Sequence, residues 1–304
     1  MTNDRIVELI DRIAKGVTPA MATPLQADGQ TVNLTAVDAL IDFLIAAGVK
    51  GLFVGGTTGE GILLQQDQRQ QLHERAMQAI AGRVPALIHV GANTSAEAVT
   101  LARHALSIQA DAIVAVTPSF YPMHDAALAT YFRDLAEAAP GIPLLAYDIP
   151  HMAVNGISPA LLAALIQELP TFAGIKTSNQ DAQVIRRLID VTPSRAIVLA
   201  GNERIALGSL SLGARGLISG LSTAVPEPFV RLTQAYFASD MVRAQDQQRR
   251  VNAMLDLIPG GARIGAIKSL LSQRGIDVGP PVPPRPALPE AEWPAWPKFA
   301  QLLG

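Results

Sequence analysis

The sequence predicts one α/β domain, a (β/α)8 TIM barrel with a C-terminal helical extension. Short runs of Val, Ile, Leu and Ala recur about every 25–35 residues, and a helical period separates each pair. The runs lack clean alternation, as expected of strands buried on both faces. Eight such units in roughly 225 residues fit a closed barrel better than an open doubly wound sheet, and no GxGxxG follows the first strand.

Taken in order, residues 1–15 carry an amphipathic helix over Ile6–Ala14, and residues 16–239 carry the barrel. The first strand lies within Gly16–Pro24 and runs into a turn. The others are read at Gly51–Val54, Ala86–Val90, Ala112–Val116, Pro143–Tyr147, Phe172–Ile175, Ala196–Ala200 and Gly216–Ser219. Helical patterns fill the intervals: Val37–Ala47, with Ala39, Leu40, Phe43 and Leu44 on one face, then Gln66–Ile80, Ala96–Ile108, Ala126–Ala138, Pro159–Leu169, Ala182–Ile189, Ile205–Leu212 and Pro228–Ala238. Residues 240–304 add helices at Met241–Leu257 and Ala262–Gln273, then Gly279–Pro289, where six prolines in eleven residues forbid regular structure. No linker composition separates this tail, so it is expected to pack on the barrel.

Composition excludes several classes. Charged residues make up 16%, hydrophobic ones 49%, and the formal net charge is −2, so no basic field exists for nucleic acid or an anionic membrane. Cysteine is absent, which removes disulfides and cysteine metal sites. No His/Asp/Glu spacing points to a metal. The start, Met1–Arg5, is unlike a signal peptide, and the longest apolar runs, such as Ala112–Val116, fall far short of the ~20 residues of a membrane span. A cytoplasmic protein is expected.

Chemistry collects at the strand ends, where βα barrels place their active sites. The apolar strand Phe172–Ile175 ends on Lys176, one of only five lysines in the chain. Burying an ammonium costs several kcal/mol unless its pKa falls, and the neutral amine that results is what attacks a ketone to form an imine. The alternative is a lysine snorkelling to solvent. Gly55–Glu60 gathers glycines and the hydroxyls of Thr57 and Thr58 into a turn that suits a carboxylate or phosphate, or else simply caps a helix. Tyr147 closes its strand, where a phenol can relay protons or serve as a rim aromatic. Asp148 is read as structural, and His73, His89 and His104 as packing or surface residues.

Gly56-Thr-Thr-Gly-Glu60, Tyr147-Asp-Ile-Pro150 and Gly174-Ile-Lys176 resemble, in order and spacing, the motifs of the dihydrodipicolinate synthase/N-acetylneuraminate lyase family. Gly16-Val17, Thr23-Pro24 and Ala266-Ile-Lys268 agree, and the resemblance runs from about Gly16 to Pro284. It implies class I chemistry with no metal or other cofactor: Lys176 forms a covalent imine with pyruvate or another 2-oxo acid. It also implies that Thr57 and Thr58 hold the carboxylate, with Gly56 beside them, that Tyr147 relays protons, and that the Ile218 carbonyl lines the site. A homotetramer is implied as well.

The sequence departs from the synthase branch at two places. Ser119-Phe120 stands where a Tyr-Tyr pair is usual, with Tyr121 next door as a partial substitute. Met152 stands where an arginine would clamp aspartate semialdehyde. Pro118, Phe120-Tyr-Pro122 looks closer to the lyase and sugar-acid aldolase branches. On that reading Thr177-Ser178 and Gly201-Asn-Glu203 offer hydroxyl and carboxylate partners to a polyhydroxylated substrate. The expectation is an aldolase or lyase joining pyruvate to an aldehyde, or cleaving a 2-keto-3-deoxy sugar acid or related 2-oxo acid. The alternatives are a dihydrodipicolinate synthase with an altered second pocket and a non-catalytic barrel that binds a 2-oxo acid.

Overall fold

The computed structural model describes residues 2–303. Its strands are β1 (Val17–Pro19), β2 (Leu52–Val54), β3 (Ala86–His89), β4 (Ala112–Val116), β5 (Leu144–Asp148), β6 (Phe172–Thr177), β7 (Ile197–Ala200) and β8 (Gly216–Ser219). All pair in parallel, in the order β1-β8-β7-β6-β5-β4-β3-β2. The ring closes just past β1, where Ala20 bridges Phe53 and the Met21 amide donates to the Phe53 carbonyl at 2.9 Å. This is a (β/α)8 TIM barrel. β1 covers only part of Gly16–Pro24, because beyond Ala20 the chain crosses the mouth and Thr23 Oγ1 donates to the Gly59 carbonyl at 2.5 Å.

Helices α1 (Thr2–Ile13), α2 (Leu34–Ala46), α3 (Gln66–Ile80), α4 (Ser95–Ser107), α5 (Asp125–Ala138), α6 (Pro150–Ala153), α7 (Pro159–Glu168), α8 (Ala182–Asp190), α9 (Ala206–Leu212) and α10 (Pro226–Phe237) precede, surround or link the strands. Side chains of Asn33, Thr94, Ser158 and Asp181 accept from first-turn amides and so fix four of the starts. The buried face of α2 is Ala36, Val37, Leu40, Ile41 and Leu44, rotated from the one expected around Ala39 and Phe43. The α1 face of Ile6, Leu9, Ile10 and Ile13 joins the interior cluster, with Ile13 lying against Gly51 and Gly216 at the strand starts. The helix therefore plugs the end of the barrel opposite the mouth.

Inward and outward side chains alternate along the strands with period two. Ala112, Val114 and Val116 face the interior from β4, Leu145 and Tyr147 from β5, and Ile197 and Leu199 from β7. β6 breaks the rule. Ala173 joins the interior cluster and Ile175 the outer one, while Lys176 reaches Tyr147 inside. The register with β5 slips between Leu144, opposite Phe172, and Leu145, opposite Gly174. This bulge at Ala173-Gly174 turns Lys176 inward where strict alternation would have presented Ile175. Gly174 has φ +139°, and a Cβ there would stand 2.0 Å from the Ile197 carbonyl oxygen, so only glycine fits.

The C-terminal residues form α11 (Met241–Asp256), α12 (Arg263–Gln273) and α13 (Trp296–Leu303). Both α6 and α13 go beyond the sequence expectation; each is short, and each begins at or next to a proline. One buried carboxylate ties the tail to the mouth. Glu60, 1% exposed, accepts from the Val282 amide at 2.9 Å and pairs with Lys268 Nζ at 3.1 Å. Lys268 also donates to the Pro280 carbonyl at 2.7 Å. It is thus a second buried lysine, on a helix and fully partnered.

Candidate active site

A cavity of about 510 Å³ opens at the C-terminal ends of the strands, within the size range of small-molecule sites. At its floor Lys176 is 4% exposed, with Nζ 3.9 Å from the centre of the Tyr147 ring and 4.6 Å from that of Phe53. Burial holds its pKa below the ordinary lysine value, against the opposing pull of Tyr147 and Glu203. The Tyr147 hydroxyl and Thr57 Oγ1 share a hydrogen bond of 3.0 Å. His89 packs edge-on against Tyr147, ring to ring at 6.3 Å, and burial and Arg69 keep it neutral.

Of the expected site residues, Lys176, Tyr147, Thr57, Thr58, Ser178, Gly201, Glu203 and Ile218 line this one cavity. Gly201 is closely packed: a Cβ would fall 2.3 Å from Ser178 Oγ, displacing that hydroxyl, and 3.2 Å from Lys176 Cε. Gly56 lies beneath the threonine loop, against the Phe53 ring, and does not line the cavity. Tyr121 is also outside it. Phe120 has φ +76° and turns the loop outward, Asn155 Nδ2 holds the Tyr121 carbonyl at 2.8 Å, and the Tyr121 ring is 69% exposed. Thr177 is withdrawn too, since the bulge in β6 sends it outward to donate to Asp148 Oδ2 at 2.7 Å.

Glu203 borders the cavity but is already engaged. Its Oε1 accepts from Ser219 Oγ and the Leu221 amide, both at 2.8 Å, and its Oε2 from Arg263 at 2.5 Å. Burial pushes its pKa up, but Arg263 and these donors outweigh that and leave it lowered. The expected carboxylate partner for substrate hydroxyls is therefore the anchor of the loop after β8. Asn202, expected with its neighbours Gly201 and Glu203, also lines the cavity, as do Arg263, Arg285 and His151, which the sequence did not single out. The arginines come from the C-terminal extension, outside the strand ends where a barrel's chemistry is expected. Among the described residues no group of three His, Cys, Asp or Glu side chains is arranged to hold a metal ion, and no helix is long and apolar enough to cross a membrane.

The profile of the dihydrodipicolinate synthetase family matches residues 13–298. The chain belongs to that family. A relative called an uncharacterized lyase, from Halobacterium salinarum, is 34% identical over 87% of this chain and 86% of its own length. Among solved structures, the catalytic-lysine mutant of the Ruminococcus gnavus sialic acid aldolase superposes with a TM-score of 0.91 at 26% identity, covering 97% of this chain and 96% of its own. A family protein of Escherichia coli K12, in complex with pyruvate, gives 0.88 at 28% identity, covering 95% and 98%. Like its family, the protein is a carbon–carbon lyase, a pyruvate-dependent aldolase of class I.

Proposed function

We propose that Lys176 carries the imine and that the protein makes or cleaves a 2-keto-3-deoxy sugar acid or related 2-oxo acid. The observation that carries the reading is the desolvated amine of Lys176 lying over Tyr147, whose hydroxyl is bonded to Thr57. The free amine attacks the C2 carbonyl of pyruvate to give a carbinolamine, and loss of water leaves the protonated imine. Loss of a methyl proton gives the enamine. Its carbon attacks the aldehyde, forming the C–C bond while the aldehyde oxygen takes up a proton. Water then hydrolyses the imine and frees the lysine; cleavage runs the same steps backward.

Tyr147, between Thr57 and Lys176, is assigned the proton transfers, and Thr57 and Thr58 the carboxylate. The imine is the electron sink, so the reaction as proposed uses no metal or further cofactor. Ser178 and the wall at Gly201 and Ile218 face the aldehyde part of the substrate. Met152, 52% exposed on the cavity rim, stands where the synthase branch has its arginine and offers no charge of its own, so the synthase alternative lacks its usual clamp. A cytoplasmic homotetramer belongs to the same proposal, and light scattering on the purified protein tests the assembly.

The deciding experiment is borohydride reduction with pyruvate, followed by peptide mass analysis. A pyruvyl adduct on Lys176 is expected; a folded protein without one, at excess pyruvate, sinks the assignment. Because the lysine pKa is lowered, its neutral fraction at any pH below 10.5 exceeds that of a free lysine. The trapping rate is therefore expected to rise with pH through a midpoint below 10.5, and a midpoint at or above that value counts against a desolvated nucleophile. Tyr147→Phe keeps the ring under Lys176 but removes the hydroxyl. Turnover is expected to fall by about 10²–10⁴-fold, as for a lost acid/base group. Steady-state kinetics check it, and unchanged turnover would remove Tyr147 from the relay.

A further inference from the structure

Resting on that reading, we propose that Arg285, in the proline-rich tail, recognises an anionic group at the end of the aldehyde remote from its carbonyl. The substrate is then a 2-oxo acid with a second anion, carboxylate or phosphate, at its far end.

The argument is one of unpaired charge. Glu203 and Arg263 neutralise each other at 2.5 Å, and Arg204, on the same wall, is paired with Asp256 at 2.8 Å. Among the described residues Glu60 is the only carboxylate within 4 Å of Arg285, and it is already matched by the buried Lys268 at 3.1 Å. Arg285 reaches Glu60 only at 3.7 Å, beyond a hydrogen bond. One negative charge thus faces two positive ones, and the surplus falls on the outer group, whose side chain is 34% exposed. Arg285 lines the main cavity and also a smaller one of about 90 Å³ beside it, and Met152 lines both as well. A substrate rooted on Lys176 thus shares its cavity with the Arg285 guanidinium, on a wall that Met152 also lines. A planar fork of donors there is suited to a carboxylate or phosphate. The carboxylate of Glu203 is occupied by its own three donors, so the wall holds no free partner for a substrate ammonium.

The test uses two matched pairs of aldehydes with pyruvate: succinate semialdehyde against butanal, and glyceraldehyde 3-phosphate against glyceraldehyde. The wild-type protein is expected to prefer the anionic member of at least one pair by 10-fold or more in kcat/KM, and the favoured pair identifies the anion. Arg285→Gln is expected to reduce that preference by roughly 10–100-fold, mainly through KM, the scale of one charge-assisted contact. Arg285→Lys is expected to restore part of it. No preference in the wild type, or a variant that slows both members of a pair equally, overturns the proposal, since a merely structural role acts on both alike. Borohydride trapping of pyruvate in the same samples separates the two readings. An adduct without discrimination removes only the role of Arg285, whereas no adduct in the wild type removes the imine itself.

Discussion

Lys176→Ala is expected to lower turnover by more than about 10⁴-fold, since no other side chain can form the bond to C2, while the barrel stays folded. Among the described residues the buried amine makes no ion pair that its removal would orphan, and the wild-type fold bears the cost of desolvating it. The space left opens onto the cavity, where water can enter, so the penalty of a dry core void does not apply in full. Thermal unfolding within a few degrees of wild type, together with loss of the pyruvyl adduct, is the expected pair of results. A variant that turns over at the wild-type rate would mean the bond is made elsewhere.

Gly174→Ala is expected to damage both stability and activity, although residue 174 touches no substrate. Alanine at φ +139° is strained whatever the space, and its Cβ would meet both the carbonyl oxygen and the amide nitrogen of Ile197, at 2.0 and 2.6 Å. Backbone atoms on both sides cannot yield as a flexible side chain would. A loss of about 3 kcal/mol or more follows from strain and displaced pairing together. The second effect is directional. If β6 relieves the clash by losing its bulge, Ile175 turns inward and Lys176 outward, and even a 1 Å displacement of a reacting group costs on the order of 10²-fold. Thermal melts and the yield of adduct in the folded fraction measure the two effects separately. Wild-type values for both would show that the bulge does not aim the lysine.

The fold was legible because its signals are repetitive. Eight apolar runs with helical spacers need no single correct boundary, and Gln66–Ile80 was read to the residue. Most of the cavity was legible too, because strand ends in a barrel converge wherever the exact register lies. Three things were not. The inward turn of Lys176 depends on one glycine inside an apolar strand, a signal for a bulge that was present but not used. Thr177 and Glu203 were read by residue type, but their hydrogen bonds to Asp148, Ser219 and Arg263 are long-range and decide whether a polar group is free. Arg285 comes from a segment whose prolines announce only irregularity, and no periodicity says which part of the barrel such a segment crosses, while Arg263 opens an expected helix whose periodicity does not say that its first turn meets the mouth.

The Glu60 anchor sets a timetable for biosynthesis. The carboxylate belongs to the turn that also carries Thr57 and Thr58, yet the amide it accepts from is 222 residues further on. At about 5–20 residues per second, a ribosome that has made the threonine turn works for roughly 10–45 s more before Val282 exists. Through that interval the growing chain holds an acid destined for burial, with Lys268 also still to come. The barrel strands are complete by Ser219, but the turn at their mouth gains its brace only near the end of translation. A message cut short after codon 219 and before codon 268 would yield a protein with every strand and no brace for its active-site turn.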